Sequence, residues 1–326
     1  MDVNAIFERF KGRKIAVVGD VMLDAYLRGD VHRISPEAPV PIVSLEKQED
    51  RLGGAANVAL NLVALGAEAI LCSVIGTDRD AKRLIDLLAE QGISNTGLVQ
   101  SADRLTTVKT RVIGNNQQLI RIDSEQIDPI SGKEEQALIT RIGELIAGGL
   151  DALIFEDYNK GVLTPPVIEA VIGLCRANNV VTTVDPKKDN FFAYRGVTLF
   201  KPNLKELKEG LDVRFSISDK AAFEAAVQQL EDRLQNEITF ITLSEHGVFI
   251  RQQAEKYYIP AHVRNIADVS GAGDTVISVA TLCLALGLPI EQIAEIANLA
   301  GGLVCEKSGV VSIEKDQLME EVAKLN

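Results

Sequence analysis

The feature that most constrains this chain is an alternation of short apolar runs with segments of helical spacing. "KIAVVGD" (14–20) ends in Gly-Asp, "GGAANVALNLVALG" (53–66) follows with helical spacing and a glycine stop, and "AEAILCSVIG" (67–76) is the next apolar run. "DRDAKRLIDLLAEQG" (78–92) is amphipathic, with an aspartate at its start and a glycine at its end. The rhythm returns in "DALIFED" (151–157), the proline-opened "TPPVIEAVIGLCRANN" (164–179) and "VVTTVDP" (180–186). It continues through "VTLFKPN" (197–203), "DKAAFEAAVQQLEDRLQ" (219–235) and "ITFITLSEHG" (238–247). Runs that are apolar throughout read as strands buried on both faces. Strands alternating with helices predict an α/β fold: a doubly wound, mainly parallel sheet with helices on both faces. The C-terminal part reads as helices at 272–287, 289–306 and about 314–324.

Two segments break this rhythm. "RGDVHRISPEAPVPIVSLEKQED" (28–50) and "TTVKTRVIGNNQQLIRID" (106–123) read as strands with turns and no intervening helix. "GNN" (114–116) is a hairpin turn. These strands do not fit a wound core, so they are expected to form a small β-sheet flap. The three prolines of 37–43 suit an edge or a bend. No repeat or long polar linker divides the chain, so residues 1–326 are expected to form a single domain with the flap inserted in it.

A formal net charge of −12 leaves no basic stripe for nucleic acid or an anionic membrane. No apolar stretch reaches membrane-spanning length, and the N-terminus has no signal-peptide core. Cys72, Cys175, Cys283 and Cys305 lie far apart in apolar contexts. They read as buried small hydrophobes in a reducing compartment, with no zinc site or disulfide framework. Three histidines, none in a triad-like setting, give a Ser–His–Asp mechanism little to build on.

Ligands of open parallel sheets bind beyond the C-terminal ends of the strands. Asp20 and Asp24 follow the first strand, Asp157 and Lys160 follow "ALIFE", and Asp185 and Lys187 follow "VVTTV". Asn203 and Glu206 follow "VTLFKP", and Ser244 and Glu245 follow "ITFITL". Each alone is also an ordinary cap or turn residue; the gathering is the signal. "ADVSGAGDTV" (267–276) adds Gly271, Ala272 and Gly273 before an apolar helix. Bare N–H groups at a helix start receive an anion. If that anion is a transferring phosphoryl group, Asp274 would take the proton of the attacking hydroxyl. A plain helix N-terminus is the other reading of the same residues. Gly53 and Gly54 make a second turn before a helix, where Asn57 would either bond a polyol or cap.

These motifs together resemble the ribokinase-like (PfkB) carbohydrate kinases. "DVSGAGDT" is similar to their C-terminal signature, "GGAANVALNLVALG" to their N-terminal one, and "KPNLKEL" and "ITLSEHG" to intermediate motifs. Within the family, "GDVMLDAYLRGDVHRISPEAPVPIV", "NNQQLIRID", "DYNKG" and "DPK" resemble the kinases of D-glycero-β-D-manno-heptose 7-phosphate. Those often form the first half of a bifunctional protein with a C-terminal adenylyltransferase, an activity this chain is expected to lack. The resemblance implies a cytoplasmic, ATP- and Mg²⁺-dependent kinase acting on a small phosphosugar, with lipopolysaccharide precursors downstream. It implies Asp274 as base, the 271–273 backbone as anion hole, and Asn203 and Glu206 positioning Mg²⁺ through water. Ser244, Glu245 and Gly247 would lie along the nucleotide, with Asn298 near the adenine. Asp20 or Asp24, with Gly53, Gly54 and Asn57, would hold sugar hydroxyls. Arg111, Arg121, Lys160 and Lys187, with Arg33 from the flap, are candidates for the sugar phosphate. The flap would close over the sugar and pair in a homodimer. Glu156 departs from the family pattern, where a smaller residue stands; it is either buried structurally or alters the sugar pocket. Another sugar on the same fold, or an idle sugar-binding regulator, are the competing readings; intact Asp274 and "KPNLKE" weigh against the second.

Overall fold

A computed structural model describes residues 2–262 and 264–325. Helix α1 (Val3–Arg9) leads into β1 (Lys14–Gly19), two long strands β2 (Val21–Ile34) and β3 (Pro41–Gly54), and α2 (Ala55–Ala64). Then come β4 (Glu68–Ile75), α3 (Arg79–Glu90), β5 (Ser94–Gln100) and the hairpin β6 (Val108–Gly114) and β7 (Gln117–Ser124). Next are α4 (Gly132–Ala147), β8 (Ala152–Glu156), α5 (Pro165–Ala177), β9 (Val181–Asp185) and the short β10 (Leu199–Phe200). The chain continues with α6 (Leu204–Leu211), α7 (Lys220–Leu234), β11 (Ile238–Thr242), β12 (Val248–Gln252) and β13 (Glu255–Ile259). Three helices close it: α8 (Ala272–Ala285), α9 (Ile290–Cys305) and α10 (Lys315–Ala323).

Nine strands form one sheet in the order β13-β12-β11-β10-β9-β8-β1-β4-β5. Every pairing from β11 to β5 is parallel, and the β12–β13 hairpin adds an antiparallel edge. The expected mainly parallel α/β fold is thus present. Its strands form because they are apolar on both faces: Ile15 to Val18 and Leu153 to Phe155 are fully buried. Two apolar clusters, one on each side of the sheet, make the core. Local signals set the helix starts. Thr164 caps α5 ahead of two prolines, and Ser131 with Glu134 forms a capping box on α4. Helices α1, α4 and α6 and strands β5, β12 and β13 were not anticipated from sequence. Helix α4 carries so much charge that its apolar stripe, Leu138, Ile142 and Ile146, shows only at helical spacing.

The remaining four strands form a second sheet, β3-β2-β6-β7. It is larger than the expected flap. Its first hairpin spans Val21 to Gly54, because β2 and β3 run on into the core and pair as far as Val21 with Gly54. Asp24, Gly53 and Gly54 therefore belong to the flap and not to a core strand end. Asn115 and Asn116 both have positive φ, as the tight β6–β7 turn demands. Alternation and register give this sheet two unlike faces. Leu27, Val112, Ile120 and Ile122 fall on one; Asp24, Tyr26, Arg28, Arg51, Arg111 and Arg121 fall on the other.

Candidate active site

The site lies where β1, β8, β9 and β10 end and α8 begins. In register, Gly19 is beside Glu156, and Glu156 is beside Asp185. Lys201 and Asn203 continue from β10. Gly271, at φ 81°, turns the chain into α8, and no side chain caps that helix. Ala272 N–H donates to the Val269 carbonyl at 3.3 Å, and the next N–H groups, of Gly273 and Asp274, remain for an anion. A Cβ on Gly273 would lie 3.4 Å from Asp185 Oδ2 and 3.7 Å from Lys201 Nζ, so the helix start faces both groups.

Asp274 is buried, and its carboxylate is held by two donors. Asn57 Nδ2 donates to Oδ2 at 2.6 Å and Tyr158 Oη donates to Oδ1 at 3.0 Å. Burial pushes the Asp274 carboxyl up to about 6 against the Asn57 bond; the Asp185 charge adds to the rise, while Tyr158 and Lys201 resist it. Glu156, Asp185 and Asp274 bring oxygens within 4.8 Å of one another. Lys201 Nζ pairs with Asp185 Oδ2 at 2.8 Å, and Lys187 Nζ bonds Glu206 Oε1 at 2.7 Å. Burial, then the Asp185 and Asp274 charges, raise the Glu156 carboxyl well above its ordinary value.

A divalent cation fits this surrounding in two ways. Asn203 and Glu206 satisfy each other in a capping box, Glu206 N–H to Asn203 Oδ1 and Asn203 N–H to Glu206 Oε2, each at 2.8 Å. Holding Mg²⁺ through water keeps that box intact and suits an ion that dehydrates reluctantly. Glu156 Oε2 is buried with no hydrogen-bond partner and is an open hard donor beside Asp185. Asp274 is less open, since both its oxygens already accept bonds.

Several expected ligand residues have other work. Asp20 accepts N–H bonds from Tyr158, Lys160 and Val162 at 2.9, 3.0 and 3.1 Å, so it fixes the loop after β8. Asp157 likewise takes Asn159 N–H, Asn190 Nδ2 and Tyr194 Oη. Asn57 does not cap α2; its amide N–H is on Asp274, and its Oδ1 is buried without a hydrogen-bond partner. Lys160 turns to Glu125 at 2.7 Å, and Arg121 to Asp123 at 2.8 Å on the exposed strand β7. Arg33 is exposed near the far end of β2. Lys187 faces Glu206 inside the site, not the flap.

On the nucleotide side, Ser244 and Glu245 form an exposed 3₁₀ turn after β11. Gly247, at φ 85°, has no room for a side chain against the Ile259 carbonyl. Asn298 donates its amide N–H to the Pro260 carbonyl at 2.9 Å.

Sequence reasoning missed Lys201, Tyr158 and the gathering of Arg28 and Arg51 with the expected Arg111. Lys201 stands in the quoted motif "KPNLKEL", but nothing local says that a lysine only 2 % exposed faces α8. On the flap, the guanidinium carbons of Arg28, Arg51 and Arg111 lie 5.5, 5.0 and 5.3 Å from the centre of the Tyr26 ring. Arg111 also pairs with Asp24, and Arg51 with Glu49. The three arginines come from three strands, β2, β3 and β6, so only strand pairing brings them together.

The pfkB family carbohydrate kinase profile matches residues 13–316. The chain is 41 % identical over 308 residues to the "Bifunctional protein HldE" of Methylobacillus flagellatus, covering 94 % of this chain and 63 % of that protein. It is 41 % identical over 322 residues to the protein of that name from Citrifermentans bemidjiense, covering 98 % and 66 %. It thus spans about two thirds of the length of these relatives. In fold it is similar to Escherichia coli phosphofructokinase-2 in complex with potassium, with a TM-score of 0.78 at 17 % identity over 96 % of this chain and 99 % of that one. It is also similar to Arabidopsis thaliana ribokinase complexed with ribose and ATP, with a TM-score of 0.72 at 15 % identity over 97 % and 100 %. A ribokinase-like fold, an aspartate behind an uncapped helix start and a profile running nearly end to end lead to one assignment: the chain belongs to the pfkB family of carbohydrate kinases, enzymes that transfer a phosphoryl group to an alcohol.

Proposed function

We propose that this chain is an ATP-dependent kinase of D-glycero-β-D-manno-heptose 7-phosphate, phosphorylating the anomeric hydroxyl to give the 1,7-bisphosphate. The observation that carries the phosphosugar reading is the arginine cluster around Tyr26. Three guanidiniums share one ring against two carboxylates, Asp24 and Glu49, and leave positive charge on one flap face. A phosphate remote from the reacting hydroxyl is an anion such a face would take. The sequence resemblance to the heptose 7-phosphate kinases supports the choice of sugar.

In this reading Asp274 takes the proton of the acceptor hydroxyl as its oxygen bonds to phosphorus. The bond from phosphorus to the bridging oxygen breaks, and its electron pair leaves on ADP. The N–H groups of 271–273 and the ammonium of Lys201 stabilise charge on the transferring group. Asn203 and Glu206 through water, or Glu156 and Asp185 directly, would hold Mg²⁺, which when bound would supply further charge neutralisation. The flap excludes water, the competing acceptor. We further propose that residues 1–326 act as one kinase domain and pair through the apolar flap face, where Ile120 and Ile122 are 55 % and 53 % exposed. No described helix is long and apolar enough to cross a membrane. Use of ATP and four buried free cysteines suit the cytoplasm. The onward product class is the nucleotide-activated heptose of lipopolysaccharide.

The test is a coupled ADP-release assay with Mg·ATP over heptose 7-phosphate, fructose 1- and 6-phosphate, ribose, fructose and adenosine. Turnover confined to the heptose phosphate is expected. Turnover on an unphosphorylated sugar would keep Asp274 and overturn the arginine site. Turnover on a fructose phosphate would keep the arginine site and change the sugar.

A further inference from the structure

The loop after β8 is held more tightly than a surface connection requires. Asp20, only 1 % exposed, accepts three backbone N–H groups from it: Tyr158, Lys160 and Val162. Asp157, also 1 % exposed, accepts three donors, two of them the side chains of Asn190 and Tyr194 at 3.2 and 2.7 Å. Between these two anchors stands Tyr158. Lys187 Nζ lies 5.7 Å from its ring centre, which bounds the ring on one side. With its backbone and ring fixed, the hydroxyl has one place to be, 3.0 Å from Asp274 Oδ1.

Asp274 would otherwise be poorly fixed. It has one other hydrogen-bonding side chain among the described residues, Asn57, on the opposite oxygen. A carboxylate held through one oxygen still turns about its own bond to Cβ. A second donor on the second oxygen stops that turn. It leaves the remaining lone pairs of both oxygens directed in a fixed way, which is what a base needs toward an incoming hydroxyl. The two donors come from separate elements, α2 and the β8–α5 loop, so the carboxylate is clamped between them.

We infer that Tyr158 is a positioning residue: through its hydroxyl it fixes the Asp274 carboxylate for the acceptor hydroxyl, and the Asp20 and Asp157 anchors exist to fix Tyr158. The inference rests on the reading of Asp274 as the base. It does not require Tyr158 to touch either substrate, and it gives Asp20 and Asp157 a shared purpose apart from sugar binding.

The experiment is a double-mutant cycle on the full chain, with Mg·ATP and the phosphosugar that the substrate panel selects. Tyr158→Phe removes one oxygen and keeps the ring. It should lower kcat about tenfold, the effect of one misplaced catalytic contact, and leave both KM values within about twofold. In the Asp274→Asn background the same change should alter the residual rate by less than about twofold, because a positioning residue has nothing left to position. Tyr158→Leu, which also removes the ring, should repeat the kcat loss of Tyr158→Phe. Wild-type kcat in Tyr158→Phe would overturn the inference. So would a raised KM at unchanged kcat, which would make Tyr158 a ligand contact, or an equal loss in both backgrounds, which would make it independent of Asp274. Near wild-type turnover of Asp274→Asn alone would remove the base itself, and that failure is read separately from the cycle.

Discussion

The central sheet and the flap treat charge in opposite ways. In β8 all five residues are buried, and the titratable groups wait at its end; in β7 all eight are exposed, and charge runs along the strand. At the core strand ends the carboxylates have lost water and most are held by a partner: Asp274 by two donors, Asp185 by Lys201, Asp20 by three N–H groups, while Glu156 Oε2 has none. On the flap, Arg51 and Arg111 pair with Glu49 and Asp24 while still reaching Tyr26. The Arg51–Glu49 pair is partly exposed, and pairs of that kind are weak and exchangeable, whereas Asp24 under Arg111 is buried. The contrast assigns fixed chemistry to the core and adjustable recognition to the flap.

The sharpest way to break this contrast is at Asp274. Asp274→Asn should fold as the wild type and lose about 10²–10⁴ in kcat, the usual contribution of a general base. Near wild-type turnover in steady-state assays would move the base elsewhere. The second test is Lys201→Met, which leaves Asp185 as a buried carboxylate without its lysine. Breaking such a pair costs about 3 kcal/mol, read by urea denaturation, and an unchanged midpoint would show that Lys187 suffices for Asp185.

A smaller effect concerns pH. In the proposed mechanism Asp274 works as a carboxylate, and burial lifts its carboxyl to about 6. Below that pH it holds a proton and cannot accept another. The kcat/KM of the free enzyme should therefore fall about tenfold per pH unit on the acid side. A profile flat down to pH about 5 would mean that the base titrates with an ordinary carboxyl value.

On the flap, Arg28→Ala and Arg51→Ala should each raise KM for the phosphosugar about tenfold, as loss of one charged hydrogen bond does. KM for ATP and the urea midpoint should stay unchanged; parallel rises in both KM values would place the arginines outside the sugar-phosphate site. Ile120→Lys should change stability by no more than about 0.5 kcal/mol, since the side chain is exposed. Sedimentation velocity should show loss of the dimer, and a dimer that survives would move the interface off the apolar flap face.

Much of the fold was readable before any coordinates. Apolar runs such as "KIAVV" and "DALIF" leave few choices other than buried parallel strands, and "GNN" leaves few choices other than a tight hairpin. Asp274 and the glycines before it were readable because a helix start needing bare N–H groups has a local pattern. The flap was readable as an interruption but not in extent, since "VMLDAYL" at 21–27 reads equally as a core strand end. The partners were not readable. Asn57 and Asp274 are 217 residues apart, and Tyr158 and Asp274 are 116 apart.

The sequence by itself therefore determined the periodicities, the turn at Gly271 and the set of polar residues at strand ends, because these depend on backbone sterics and on neighbours within a few positions. Only the tertiary structure decided which of those polar residues faces which. It bound the loop after β8 to Asp20, buried Lys201 beside α8, and gathered Arg28, Arg51 and Arg111 on one ring. Pairing of buried charge depends on distance in space, and no local pattern encodes that distance.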